Sequence, residues 1–355
     1  MAICHVCGRK AVYINPVNGR AYCREHFAKY FERKVRRTIR KYNMLKKNDH
    51  VVVATSGGKD SLSLLHILAK IASKNPGLRI TALLIDEGIK GYREKTVERL
   101  EKYAKEHGVN YRVASFKEYL GITLDEIVSK SRELGLPYQP CSYCGVFRRY
   151  LLNKVTRELG GTVLATAHNL DDAVQTYLMN IIENSWDRVS KLGPVVEPDV
   201  PGVFPRRIKP FYEVLEKETA LYALLNGLIT PEYEQCPYAQ YNIRFTIRRL
   251  LNELEERYPG TKYKLLRSLL SAIKLTQHTQ AGHSRKTCIL CGEPAAHPLC
   301  KACTYRLELS VLRPGEYSAL KLRAGVDYEL KVFLQRNIFN KEAVKNIFHT
   351  VKNAG

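Results

Sequence analysis

From His50 to Asn184 the chain falls into four short apolar runs, each followed by a stretch with helical spacing. Val51-Val52-Val53 has the β-branched character and length of a buried strand, and behind it Leu62, Leu65, Leu68, Ala69 and Ala72 recur every three or four residues, marking one helix face. Arg79–Ile85, Asn110–Phe116 and Gly161–Ala167 read as three further strands. Thr96–Glu106, Thr123–Leu134 (stopped by Gly135) and Leu170–Asn184 read as helices. Strands alternating with helices predict an α/β fold built on a doubly wound parallel sheet, with ligands gathered beyond the carboxyl ends of its strands. Helices are also expected at Phe27–Lys47, Leu215–Leu225, Ile243–Arg257 and Tyr263–Gln277. Ser185–Lys209, rich in Pro and Val, reads as a loop-like insertion. The tail, Pro314–Gly355, shows a strand-like LKL…YELKVF pattern and a basic final helix.

The first strand leads into Thr55-Ser56-Gly57-Gly58, and Lys59-Asp60-Ser61 opens the helix behind it. A strand, a glycine turn and a helix N-terminus aim several backbone N–H groups and the positive end of a dipole at one point, which suits phosphate. The spacing fits neither the G-x-x-x-x-G-K-[ST] loop nor the G-x-G-x-x-G fingerprint. It resembles the S-G-G-x-D-S loop of the N-type ATP pyrophosphatases, which cleave ATP between the α- and β-phosphates and adenylate an oxygen of the substrate. That resemblance implies an ATP site at Ala54, Ser56, Gly57, Gly58, Lys59, Asp60 and Ser61, with Asp60 and Ser61 beside Mg²⁺. Sheet topology adds Ile85, His168, Asp171 and Asp172 to the same cleft. Either aspartate suits Mg²⁺, substrate orientation or a plain helix cap.

Charge changes the picture. At 355 residues and a formal net charge of +22, the chain is far more basic than a small-molecule enzyme requires, and a polyanion such as tRNA accounts for it better than a charge-rich thermophile surface does. Lys29, Arg33, Lys34, Arg36, Arg37, Arg40 and Lys41 make the first helix almost single-signed, either as a solvated face or as a phosphate-backbone contact. The insertion is a candidate lid or tRNA contact. The N-terminus lacks an apolar leader and no run reaches membrane-spanning length, so a cytoplasmic protein without a membrane partner is expected, its ten cysteines reduced and free for metals.

Those cysteines divide cleanly. Cys4-x-x-Cys7 with Cys23-x-x-His26 has zinc-knuckle spacing, with Asn18-Gly19 as a hairpin turn between the pairs, and Cys288-x-x-Cys291 with Cys300-x-x-Cys303 forms a second knuckle. Two Zn²⁺ are expected, each stabilising a segment too small for its own core. The remainder are Cys141, Cys144 and the lone Cys236. Three thiolates suit an Fe–S cluster with one open iron, a thiol–disulfide or persulfide cycle, a third structural zinc, or inert packing.

Taken together, SGGKDS, PCSYCG, QCP, ATAHNLDD and the flanking knuckles resemble the tRNA 2-thiouridine synthetase family over residues 1 to about 310. The resemblance implies adenylation of a uridine C2 oxygen and its replacement by sulfur. It implies a 4Fe–4S cluster on Cys141, Cys144 and Cys236, and reacting-centre roles for Arg148 and Asp172, with Asp60 at the ATP. Arginine at 148, where lysine can stand, keeps the charge but not an obvious proton-transfer role. A ubiquitin-like thiocarboxylated sulfur-carrier protein and a homodimer are the expected partners besides tRNA. The expected layout is a zinc knuckle at 1–28, a catalytic domain at 29–282, a second knuckle at 283–310 and a tail at 311–355. The alternatives are a related enzyme of the 2-thiocytidine or lysidine type and a non-catalytic zinc and RNA-binding protein. Lysidine chemistry needs no thiol triad.

Overall fold

The computed structural model describes residues 1–198, 204–229, 236–239, 243–277 and 286–348. Residues 199–203 of the insertion, Gln235 beside Cys236, and the end of the tail lie outside them. The elements run β1 (Tyr13–Ile14), β2 (Ala21–Tyr22), α1 (Arg24–Lys41), β3 (His50–Ala54), α2 (Lys59–Ala72), β4 (Arg79–Asp86), α3 (Glu94–His107), β5 (Asn110–Ser115), α4 (Phe116–Leu120), α5 (Leu124–Glu133) and α6 (Pro140–Glu158). They continue with β6 (Val163–Ala165), α7 (Leu170–Ile182), α8 (Trp186–Val189), β7 (Val195–Val196), β8 (Arg206–Ile208), α9 (Glu216–Leu225), α10 (Ile243–Arg257) and α11 (Thr261–Gln277). The last are β9 (Lys286–Thr287), β10 (Pro294–Ala295), α12 (Lys301–Glu308), α13 (Pro314–Val326), α14 (Tyr328–Asn337) and α15 (Lys341–Phe348).

The main sheet has six strands in the order β5-β4-β3-β6-β8-β7. β3 pairs in parallel with β4 and β6, and β6 in parallel with β8, while β7 closes the edge antiparallel. The α/β expectation is met by a mixed rather than wholly parallel sheet. The chain divides into two compact units. The first comprises Met1–Leu84, Lys95–Arg112 and Thr156–Gly282, and the second Ile85–Glu94, Val113–Val155 and His283–Gly355.

In the first unit Val51, Val52 and Val53 are fully buried, as are Leu62, Leu65 and Leu68 on α2. The core face of α1 carries Phe27, Phe31, Val35 and Ile39, with Phe31 stacked on Tyr222 at 4.5 Å. Lys34 does not belong to a solvent-facing basic stripe. Its Nζ turns inward to Glu218 at 2.5 Å and to the Tyr263 hydroxyl at 2.7 Å. Glu218 also accepts from the Tyr13 and Tyr30 hydroxyls, so this buried carboxylate ties the N-terminal hairpin to α1 and α9. Lys29, Arg33, Arg37 and Arg40 remain exposed.

Two expectations are corrected. The insertion is not loop throughout: its described residues form α8, β7 and β8, and β8 extends the main sheet. Charge disguised that strand, because Arg206 is buried, donating to the Asn43 and Met44 carbonyls and to Asp49. The tail is helical. Leu330, Phe333 and Leu334 share one buried face at i, i+3, i+4, and the Asp327 side chain caps α14 by accepting from the Leu330 N–H at 3.0 Å. In the second unit these helices close a core around the C-terminal cysteine hairpin, joining Leu320, Leu330, Leu334 and Ile347 to Cys288, Leu299, Cys303 and Leu307.

Candidate active site

β3 ends at Ala54, and Thr55–Gly58 turns the chain into α2. Gly57 sits at φ +75°, and a Cβ there would lie 2.7 Å from the Thr96 Cβ and 3.0 Å from its carbonyl oxygen. Only glycine suits both the dihedral and the space. The turn is held from within: the Ser56 N–H donates to Ser61 Oγ at 3.1 Å, the Ser61 hydroxyl donates to the Gly58 carbonyl at 3.1 Å, and Arg99 donates to the Gly57 carbonyl at 2.9 Å. Two buried oxygens at this turn, Thr55 Oγ1 and Asp60 Oδ1, have no hydrogen-bond partner among the described residues. A donor-rich loop that leaves a carboxylate oxygen and a hydroxyl unsatisfied is shaped for a metal–phosphate group.

The other oxygen of Asp60 accepts from Lys59 at 2.7 Å, and Lys59 also reaches Glu216 at 3.0 Å. Burial pushes the Asp60 carboxyl up to about 6 against the pull of Lys59, and Asp172 and Glu216 add to the rise. Asp60 and Asp172 therefore face the same space at the carboxyl ends of the neighbouring strands β3 and β6. Burial raises Asp172 too. It forms a capping box with Asn169, and its carboxylate is 4.0 Å from Arg244.

Asp171 is the more constrained of the pair. Its Oδ1 takes the Lys262 ammonium and its Oδ2 accepts from the Glu216 N–H at 2.8 Å, so it anchors α9 and α11 to the start of α7. His168 is exposed at the end of β6, with Nδ1 2.9 Å from Thr166 Oγ1. Ile85 is buried as the penultimate residue of β4. Reading the sequence did not single out Glu216 or Lys209. Lys209 Nζ donates to the Leu192 and Gly193 carbonyls at 3.1 and 2.9 Å, and burial pulls it down to about 8. No local signal marks either residue: Glu216 meets Lys59 and Asp171 from distant segments, and Lys209 folds back on carbonyls at the start of its own insertion.

Both knuckles assemble. Cys4, Cys7, Cys23 and His26 place their ligand atoms within 4.8 Å of one another, as do Cys288, Cys291, Cys300 and Cys303. The Cys7–Cys23 and Cys291–Cys300 sulfur pairs are 3.6 and 3.5 Å apart, close to the edge of about 3.8 Å that a tetrahedron with Zn–S bonds of about 2.3 Å requires. Either set can hold zinc.

In the second unit Cys141 and Cys144 stand on the first turn of α6, three residues apart on one side of the helix. Between them Tyr143 is fully buried, its hydroxyl 2.9 Å from Ser131 Oγ and its ring 4.7 Å from that of Tyr305. That anchor leaves Cys141 exposed and Cys144 half-buried. Cys236 belongs to the first unit, half-buried in a short turn closed by the Ala239 N–H on its carbonyl at 2.9 Å. One turn beyond Cys144, Arg148 forms an ion pair with Glu87, its Nε 3.1 Å from the carboxylate.

The known proteins to which the chain is similar are of one kind. A family described as the PP-loop domain matches residues 28–254. The chain is 39% identical over 305 residues, 85% of its length and 93% of the relative's, to a tRNA-5-methyluridine(54) 2-sulfurtransferase of Pyrococcus horikoshii. It is 36% identical to the tRNA 2-thiolation protein NcsA of Haloferax volcanii, over 84% of this chain and 97% of that one. Among solved structures it matches the U34-tRNA thiolase NcsA of Methanococcus maripaludis, solved with its 4Fe–4S cluster, at a TM-score of 0.75 and 34% identity, covering 88% of this chain and 98% of that one.

Proposed function

The chain belongs to the PP-loop tRNA 2-thiolation sulfurtransferases, and from that premise we propose how its own residues divide the work. The Ser56–Ser61 turn binds the ATP phosphates, and Asp60 and Thr55 hold the accompanying Mg²⁺. The uridine O2 attacks the α-phosphorus, the bond to the β-phosphate oxygen breaks, and pyrophosphate leaves. Sulfide then adds at C2, the C2–O bond breaks, and AMP departs with the original oxygen. No net oxidation is needed. Arg148 offsets charge that builds at the uracil, and Asp172 orients the base.

Cys141, Cys144 and Cys236 supply a soft, three-thiolate donor set suited to a 4Fe–4S cluster, which when bound offers one open iron to carry sulfide. Zinc on each knuckle ties down a segment too small to fold alone. The same reading takes a thiocarboxylated ubiquitin-like protein as the sulfur source and places the chain in the cytoplasm as a homodimer. No helix among the described residues is long and apolar enough to cross a membrane.

The observation that carries this reading is the unsatisfied Asp60 oxygen inside a strand–glycine–helix turn of the PP-loop pattern. Anaerobically purified protein should be brown, with about four irons per chain, and each single change of Cys141, Cys144 or Cys236 to Ala should remove both colour and thiolation. Colourless protein that still thiolates tRNA, or full activity in Cys236→Ala, would assign the chemistry to a persulfide on two of the cysteines.

A further inference from the structure

Within the second unit, the segment after β4 holds an unusual charge arrangement. Glu87 is fully buried, yet its carboxylate takes two guanidinium groups: Arg93 through Nε and through Nη2 at 2.7 Å, and Arg148 through Nε at 3.1 Å. One arginine already neutralises it, so the second leaves the cluster with a net positive charge. The two arginines differ. The Arg93 side chain is only 7% exposed, packed over the Tyr92 ring and within electrostatic reach of Cys144. The Arg148 side chain is 40% exposed, and beyond its contact with Glu87 its two terminal nitrogens have no partner among the described residues.

The backbone around Glu87 is fixed as well. Its carbonyl accepts the Leu124 N–H at 2.7 Å, and Gly88, at φ +70°, packs so closely on Thr123 that a Cβ would lie 2.6 Å from the Thr123 methyl. Glu87 is therefore a rigid post rather than a mobile surface acid. A guanidinium held at Nε by such a post has lost much of its rotamer freedom and presents both Nη groups as a fork for an anion. Arg148 stands four residues after Cys144, hence on the same face of α6.

We propose that Glu87 is a positioning residue for thiolation, fixing the Arg148 fork toward the reacting centre while Arg93 holds the Glu87 carboxylate in place. This rests on the proposed function, in which Arg148 stands near the reacting uracil. A merely structural ion pair would secure α6 and contribute nothing specific to turnover.

A double-mutant cycle separates the two. Glu87→Gln should lower kcat for tRNA thiolation by about 10- to 100-fold, as loss of alignment does, with KM for ATP unchanged. In an Arg148→Ala background the same change should add less than about twofold, because its route of action is already gone. A second measurement leaves Glu87 intact: millimolar guanidinium, docking on the vacated carboxylate, should restore saturable activity to Arg148→Ala. Should Glu87→Gln fail to fold, that rescue alone decides, and its absence overturns the proposal. Equal losses from Glu87→Gln in both backgrounds, or no loss, also overturn it. Wild-type protein that thiolates no tRNA would instead overturn the functional reading, and the role of Glu87 with it.

Discussion

Asp60 concentrates the cost of the site in a single carboxylate. Its raised pKa of about 6, against about 4 for a free aspartate, means that the ligand-free fold favours the protonated form more than the unfolded chain does. The sign follows from linkage: the stability this group contributes is present below about pH 4 and is lost as pH rises through about 6. Without ligand, the melting temperature should therefore fall between pH 5 and pH 7, and Mg²⁺-ATP should raise it more at pH 7.5 than at pH 5. Differential scanning fluorimetry of wild type and Asp60→Asn checks this, because the variant should lose that part of the pH dependence. Removing the charge should also slow AMP formation by about 10²-fold while leaving the ligand-free protein no less stable at pH 7.5. A variant that still adenylates at the wild-type rate would remove Asp60 from the ATP site. Asp60 was legible in the sequence because the glycine turn announces it. Glu87 and Lys209 were not, since their burial and their contacts with Arg148 and with the Leu192 and Gly193 carbonyls appear only once the chain is folded.

Among the elements, the β3–turn–α2 unit was the easiest to read, since strand, turn and helix face are all local patterns. Gly57→Ala tests it: the positive φ and the contact with Thr96 should cost about 1–3 kcal/mol and weaken ATP binding more than they weaken tRNA binding. An alanine variant with wild-type ATP affinity would mean that the turn does not close on phosphate. β8 was hidden because its buried arginine reads as a surface charge, and the tail misled because LKL and YELKVF alternate over a few residues while Leu330, Phe333 and Leu334 keep helical spacing. The helix α1 was half legible. Its charge is real, but Lys34 is a core residue. Lys34→Met should cost about 3 kcal/mol by leaving Glu218 buried without its cation, and should not alter the salt dependence of tRNA binding. Arg37→Ala should do the reverse, leaving the melting temperature unchanged and reducing the slope of log affinity against log salt by roughly 0.9 if it contacts one phosphate. Thermal melts and salt titrations distinguish the two variants.

For the molecule as a whole, the two cysteine knuckles and the tail belong to the stability of the units that contain them. The tail helices supply Leu320, Leu330, Leu334 and Ile347 to the core around Cys288 and Cys303. A chain ending at Arg313 should therefore retain zinc at the N-terminal set and lose it from the C-terminal set, a result that metal analysis reads directly. Retention of both metals would make the tail an independent appendage. The basic balance of the chain, the PP-loop turn and the three remaining thiols are all explained together only if one protein activates and thiolates tRNA. The most direct measurement is nucleoside mass spectrometry of unmodified tRNA incubated anaerobically with the purified protein, Mg²⁺-ATP and isotopically labelled sulfide, with AMP and pyrophosphate assayed in parallel. The account predicts labelled 2-thiouridine at a single tRNA position, formed in step with AMP. AMP release without sulfur in the uridine, or sulfur incorporation without ATP, would contradict it.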